Sequence, residues 1–301
     1  MRDGYKALLF LAAYGLAYIL APGAYLRYEV VYFGAVSLAV LGVTKLLDAG
    51  LVNFGYGMYV AAGAYAAGLL YKHLGVSDVA AGVALAAAAG AAFGYAVGKA
   101  TARFRGIFYA LLNLSVSMVL YGVLVKFYTV TGGSDGITIP TYLLFGFPAG
   151  TDAIAGLTAA LAATGLYMRS RYLRSALYYN ALGLRENELR MRALAVSPEA
   201  AVVKLTVFSA VFGSVSGALL AYLTNHVSPD LSFWSESSIM VIGGLAGGFI
   251  SPMYGFLAGA LVLRILDILA SYYVYELVVG VGLMLIFALA LARSYVGGAR
   301  G

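Results

Sequence analysis

Long apolar runs separated by short polar connections recur along the whole chain. A helix needs about 20 such residues to cross a hydrocarbon core of about 30 Å. The pattern predicts spans at 7–25, 29–44, 50–71, 79–98, 107–128, 152–168 and 203–224, a Gly-interrupted stretch at 237–271, and a last span at 275–292. The runs are continuously apolar and lack the alternation of a membrane β-barrel. Helices also satisfy every backbone N–H and C=O within the segment, as lipid demands. The expected fold class is an all-α polytopic integral membrane protein with about ten transmembrane helices (eight to ten), residues 1–301 forming a single transmembrane domain. The first run is long for a signal-peptide core and no small-residue cleavage site precedes Arg27, so it reads as a permanent helix.

The 237–271 stretch decides between nine and ten spans. Gly247, Gly248, Ser251 and Pro252 interrupt it, through flexible glycine and through proline's missing donor, which favours two crossings. The first part, 237–249, is short for a full crossing, so a re-entrant half-helix is the alternative.

Composition agrees with the bilayer reading. Charged residues are 11% of the 301 and hydrophobic ones 62%, with mean hydropathy +0.90; a soluble domain carries roughly 25% charge. There is no Cys, which excludes disulfides, thiol nucleophiles and thiolate metal sites, and His73 and His226 are the only imidazoles. His226, Asp230 and Glu236 fit no familiar ligand spacing. No metal or cofactor is therefore expected.

The net charge of +6 would suggest nucleic acid only if the cations shared one solvated face. They sort by topology instead. With the N-terminus cytoplasmic and ten crossings, 15 of 19 Lys and Arg fall inside, leaving Arg27, Lys72, Lys126 and Arg264 outside. Positive residues are retained on the cytoplasmic side, so this orientation is expected in a cytoplasmic membrane, with no nucleic-acid partner. With nine spans the tally is 14 to 5.

Residues 169–204 hold ten of the 32 charges. Within them Asn180–Arg192 reads as one short amphipathic helix, with Leu182, Leu189 and Ala193 near one face. Two readings stand: a connector held to lipid headgroups by Arg169, Arg171 and Arg174, or a docking element for a cytoplasmic partner, since mixed charge around an apolar ridge suits a groove.

The segment LRENELRMRALAVSP, followed by an apolar helix, resembles the cytoplasmic coupling region of permeases of branched-chain amino-acid ATP-binding-cassette (ABC) importers, the LivM type. GLVNFGYGMYVAAGAYAAGLL at 50–70, RGIFYALLNLSVSMVL at 105–120, TGGSDGI at 131–137 and the Gly-rich 214–255 are similar to further segments of that family, in order and at its spacing. Two departures concern the coupling segment: Tyr178 and Tyr179 stand where the family carries Gly-Arg, and Ala195 stands where it favours Gly. The resemblance implies an ABC importer permease fold, with Arg185, Glu186, Asn187, Glu188, Arg190 and Arg192 as ATPase-coupling residues. It implies a second, LivH-like permease subunit, two cytoplasmic ATPase subunits and an external substrate-binding protein as partners, besides membrane lipid. Branched-chain amino acids are the expected cargo; urea, short amides or other amino acids are the alternative.

A polar solute needs groups that replace its water. Tyr109, Asn113, Ser117 and Tyr121 recur every four positions as one polar stripe, and Asn53 sits near a Gly-rich helix start. They are candidates for the translocation path; the competing reading is hydrogen bonding between helices, worth under about 1 kcal/mol each. Gly90, Gly94 and Gly98, then Ser209, Gly213 and Gly217, then Gly255 and Gly259, are expected to pack helices closely within the subunit. Lys126 is expected to snorkel outward, and Arg264 to neutralise Asp267 three residues on. In the external loop, 129–151, Gly132, Gly133 and Gly136 around Asp135 suit turns with positive φ. This loop has no Gly-Lys-Ser/Thr ending, so the chain is not expected to hydrolyse ATP itself. An intramembrane transferase would show a positioned acid or base within a span, and none stands out. An ion-coupled secondary transporter fits the broken stretch but leaves the charged connector unexplained.

Overall fold

The structure is a computed structural model that describes residues 2–272 and residue 284. The expected 275–292 span thus lies outside the described residues, apart from helical Met284. In chain order come α1 (Arg2–Leu20), α2 (Gly23–Asp48), α3 (Gly57–Leu74), α4 (Val79–Thr101), α5 (Gly106–Lys126) and the single turn α6 (Tyr128–Thr131). Short strands β1 (Ile137–Thr138), β2 (Leu143–Leu144) and β3 (Phe147–Pro148) precede α7 (Thr151–Tyr172), α8 (Ala176–Glu186), α9 (Glu188–Ala193) and α10 (Pro198–Thr224). Strand β4 (His226–Val227), α11 (Trp234–Ile250) and α12 (Gly255–Tyr272) follow. Among the described residues four helices, α2, α4, α5 and α10, are long and apolar enough to cross a membrane.

Two helix starts differ from the sequence expectation for local reasons. The first break comes at residues 21–22, because Pro22 takes an extended conformation and becomes the N-cap of α2. Helix α3 starts at Gly57 rather than at 50: Gly50 turns at φ +70, and the Asn53 Oδ1 accepts the Gly55 N–H at 2.9 Å, a local turn that competes with helix. The break inside 237–271 falls at 251–254, where Ser251 is extended and its Oγ accepts the N–H of Met253 and Tyr254.

Helix α10 is the axis, with α2, α3 and α4 packed round it, while α7, α11, α12 and α1 gather about α2. Small side chains make this possible. A Cβ at Gly94 would lie 2.5 Å from Ala210 Cβ, and one at Gly90 2.5 Å from Ser214 Oγ, so the α4 glycines seat directly on α10. Gly255 and Gly259 meet Gly247 and Gly243 in the same way between α12 and α11. All three small-residue stripes therefore pack within the subunit. Hydroxyls add interhelical bonds: Ser209 Oγ donates to Gly42 O at 2.8 Å, Ser214 Oγ to Tyr59 O at 2.8 Å and Ser216 Oγ to Ala35 O at 2.7 Å.

Contacts between distant residues sort the connections onto two ends of the bundle. At one end Gly50 faces the Arg185 stem, Glu188 pairs with Arg105, and Arg169 reaches both Asp48 and Pro252. At the other, Ile137 pairs with Val227 and Thr138 with His226, Lys72 Nζ donates to Thr129 O at 3.1 Å, and Tyr18 OH donates to Asp152 at 2.5 Å. Helix α11 leads to Pro252 at the first end, while its start lies inside the bundle, where the Gly57 N–H at the start of α3 donates to Ser237 Oγ at 2.8 Å and Ser117 Oγ in the middle of α5 donates to Ser232 O at 2.6 Å. The 17 residues of α11 rise about 25 Å.

Asp78 fastens the second end. Its carboxylate accepts the Ala81 N–H, capping α4, and the Gly146 N–H at 2.9 Å in the β2–β3 hairpin. Burial pushes this carboxyl up, but the backbone N–H groups of Ala81, Gly146, Ala80 and Phe145 outweigh it and hold the carboxyl below its ordinary value.

Candidate coupling and translocation sites

The charged segment does not form one helix over Asn180–Arg192. Asn187 (φ −163, ψ 101) breaks it, and its Oδ1 then accepts the Arg190 N–H at 3.0 Å as the N-cap of α9. Ser175 caps α8 and Ser197 caps α10 in the same way. Met191 lies buried against Gly183, which folds α9 back on α8. The predicted ridge is consequently split. Leu182 is half-buried, while Leu189 and Leu194 are 78% and 70% exposed, among exposed Arg185, Glu186, Asn187, Arg190 and Arg192. Glu188 is turned inward to Arg105, and Arg192 pairs with Glu199. The surface on offer is thus two leucines ringed mainly by arginine.

The two departures in this segment have visible consequences. Tyr178 packs edge-on against Tyr172, ring centroids 5.5 Å apart, and Tyr179 is exposed. Ala195 adopts φ +57, the left-handed region that favours glycine. Ala195→Gly is expected to raise the stability of the α9–α10 connection by about 1 kcal/mol, read as a higher unfolding midpoint; an unchanged or lower midpoint would contradict the strain at this residue.

Of the three arginines offered as headgroup contacts, Arg169 is not one. It is 3% exposed; its fork reaches Asp48, and Nε and Nη2 donate to Pro252 O at 3.0 and 2.8 Å. Arg264 pairs with Asp267 as expected, and also grips Glu29, which sequence reasoning overlooked, at 2.6 and 2.7 Å. Lys45 is buried too. The available signal was general: a charge inside an apolar helix needs a partner.

The polar stripe faces inward. Tyr109, Asn113 and Ser117 are fully buried and Tyr121 is half-buried, its ring 5.1 Å from that of Phe233. Ser117 Oγ donates to Ser232 O at 2.6 Å and Asn113 Nδ2 to Tyr109 O at 2.8 Å. Gly55 sits so close that a Cβ there would be 2.0 Å from Asn113 O, which brings the Asn53 turn against α5. Asn53 Nδ2, Tyr59 OH, Tyr109 OH, Asn113 Oδ1 and Thr206 Oγ1 make no well-aligned hydrogen bond to the protein and have chiefly one another as polar neighbours. They form one neighbourhood: Tyr59 lies beside Asn53 and Tyr109, and Tyr109 beside Asn113 and Thr206. Three of the five path candidates, Asn53, Tyr109 and Asn113, thus converge on buried polar groups where α3 begins, together with Tyr59 and Thr206, which the four-residue spacing alone does not pick out.

In the 129–151 loop Gly132, Gly133 and Gly136 take φ +81, +61 and +70, as the turn reading required. Asp135 ends the intervening 3-10 turn, and a Cβ at Gly136 would lie 2.0 Å from Val227 O, so this loop docks on β4.

The branched-chain amino acid transport system / permease component family matches residues 25–291. The chain belongs to this family. It is a multi-pass membrane protein, and its residues align over most of the permease with two curated relatives. Both are named high-affinity branched-chain amino acid transport system permease protein LivM, from Escherichia coli strain K12 and Salmonella typhimurium strain LT2. Each is 28% identical over 79% of this chain. The chain spans 61% of the length of these relatives. No solved structure matches the permease significantly.

Proposed function

We propose that residues 1–301 form one permease subunit of an ABC importer that moves branched-chain or related hydrophobic amino acids inward. In this reading it works with a second, LivH-like permease subunit, two ATPase subunits and an external binding protein, and has no nucleotide site of its own. A cytoplasmic N-terminus and about ten spans, α11 counted as one of them although it begins inside the bundle, fit the alternation of connections between two ends. The end bearing residues 169–204 is then cytoplasmic and the 129–151 loop external. Urea, short amides and other amino acids remain the alternative cargo, which the external binding protein selects.

The observation that carries this reading is the α8–α9 hairpin of a family permease, presenting exposed Leu189 and Leu194 among Arg185, Arg190 and Arg192. A large exposed apolar pair at a charged end suits a groove on another protein. Leu189→Glu is expected to lower ATP-driven uptake at least about tenfold, the loss of roughly 1.4 kcal/mol of docking energy, while the permease still folds. Arg185→Glu should act in the same direction. Glu188 is the poorer choice, because reversing it also breaks the pair with Arg105. Unchanged uptake with both variants would remove the docking role.

The buried polar neighbourhood of Asn53, Tyr109 and Asn113 is proposed as part of the path, with Ser117 and Tyr121 extending it toward the external end. Its atoms without a well-aligned bond supply the donors and acceptors that a zwitterion needs in place of water. Asn113→Leu conserves volume and removes both polar functions. Transport is expected to fall about tenfold with assembly intact, equivalent to about one lost hydrogen bond to a charged group. Unchanged kinetics would return these residues to helix packing.

A further inference from the structure

A cavity of about 680 Å³ opens where the ends of α2, α7 and α8 meet the flank of α10. That volume is within the roughly 300–1,000 Å³ of small-ligand sites. Tyr167, Met168 and Phe208 form an apolar wall, and Lys45, Arg171 and Arg174 bring three cationic groups to the same space. Among the described lining residues there is no carboxylate.

Lys45 is the unusual member. It is 2% exposed, and its Nζ lies 4.5, 5.0 and 4.9 Å from the ring centroids of Tyr172, Phe208 and Phe212. Among the described residues it makes no ion pair, because Asp48, one turn further along α2, is held by Arg169. Aromatic faces offset only part of the cost of desolvating an ammonium. An anion entering the cavity supplies the rest.

The geometry points to a site for one anionic phospholipid of the leaflet at the charged end of the bundle, its phosphate among Lys45, Arg171 and Arg174 and its glycerol and first acyl carbons on Tyr167, Met168 and Phe208. Basic pockets between membrane helices on the cytoplasmic side suit such headgroups. The apolar wall distinguishes a lipid from a free anion: phosphate alone leaves the exposed two-fifths of Tyr167 and Phe208 uncovered. This inference rests on the proposed orientation, which makes that end cytoplasmic, and not on the cargo or on transport.

The test is native mass spectrometry of the full-length chain in mild detergent, titrated with phosphatidylglycerol and with phosphatidylcholine of the same acyl chains. One phosphatidylglycerol should be retained in preference to phosphatidylcholine. Arg171→Gln should weaken its retention about fivefold, and Lys45→Met by at least as much. Arg171 is exposed, so its variant reports even where Lys45→Met fails to fold. Equal retention of the two lipids, or phosphatidylglycerol retention unchanged by Arg171→Gln, overturns the site. Displacement by inorganic phosphate means a free-anion site, and release of the lipid on adding the ATPase subunits means a protein interface. Either of these also overturns the lipid proposal. Because the readout is lipid retention, a failed transport assay leaves it standing.

Discussion

Arg169→Leu is expected to cost the permease about 3–5 kcal/mol of stability, the usual penalty for removing one partner of a buried ion pair. The Arg169 guanidinium joins three parts of the fold. It extends from the last turn of α7, reaches the Asp48 carboxylate at the end of α2, and donates twice to the Pro252 carbonyl between α11 and α12. Removing it strands a largely buried carboxylate and takes two donors from the Pro252 carbonyl. Lysine offers a point charge without a planar fork, so Arg169→Lys should recover only a minor part. Adding Asp48→Leu to Arg169→Leu should recover more, because the stranded charge goes with it. The check is thermal unfolding in detergent across this double-mutant cycle. A loss of under about 1 kcal/mol for Arg169→Leu would return this residue to the surface role of an exposed pair.

Gly217→Val is expected to prevent the folded bundle from accumulating. Helices α3 and α10 approach backbone to backbone: a Cβ at Gly217 would stand 1.9 Å from Val60 O, and one at Gly63 1.8 Å from Ser214 O. The obstacle is main chain, so no change of side-chain rotamer relieves it, and the helices must separate. Overpacking costs about 1–3 kcal/mol where side chains can yield, and separation here also removes the bonds from Ser214 Oγ to Tyr59 O and from Tyr56 OH to Ser209 O. Gly248→Ala is the matched control. Nothing lies within 4 Å of its Cβ position, and alanine is the better helix former, so a neutral or slightly stabilising effect is expected. Size-exclusion profiles of the two variants should separate a lost peak from an unchanged one; equal profiles would contradict the close approach.

Most of the helices were legible because lipid imposes one rule on all of them: a continuous apolar run of sufficient length. That rule placed α4, α5, α7 and α10 to within about five residues, and α2 less closely, because Pro22 sets its start. It failed where a side chain competes with the helix. Asn53 and Asn187 each accept a nearby backbone N–H, delaying α3 and splitting α8 from α9, and composition does not separate such an asparagine from one on a helix surface. Charge counting read Arg169 and Lys45 only as markers of a side of the membrane. Their burial depends on which helix ends meet in space, a long-range fact that local pattern does not contain. The polar stripe on α5 was visible as spacing, but Tyr59 and Thr206 join it only through tertiary packing. In the opposite direction, the resemblance flagged Ala195 as out of pattern before its positive φ gave the reason.

In the proposed importer, solute crosses only when ATPase subunits act on the α8–α9 hairpin. The most direct measurement is uptake of labelled leucine into proteoliposomes holding the chain, its second permease subunit and the two ATPase subunits, with the external binding protein supplied. Uptake is expected to require ATP and the binding protein and to be lost when this chain is omitted. Uptake that continues without ATP, or that an ion gradient drives in its place, would contradict this dependence.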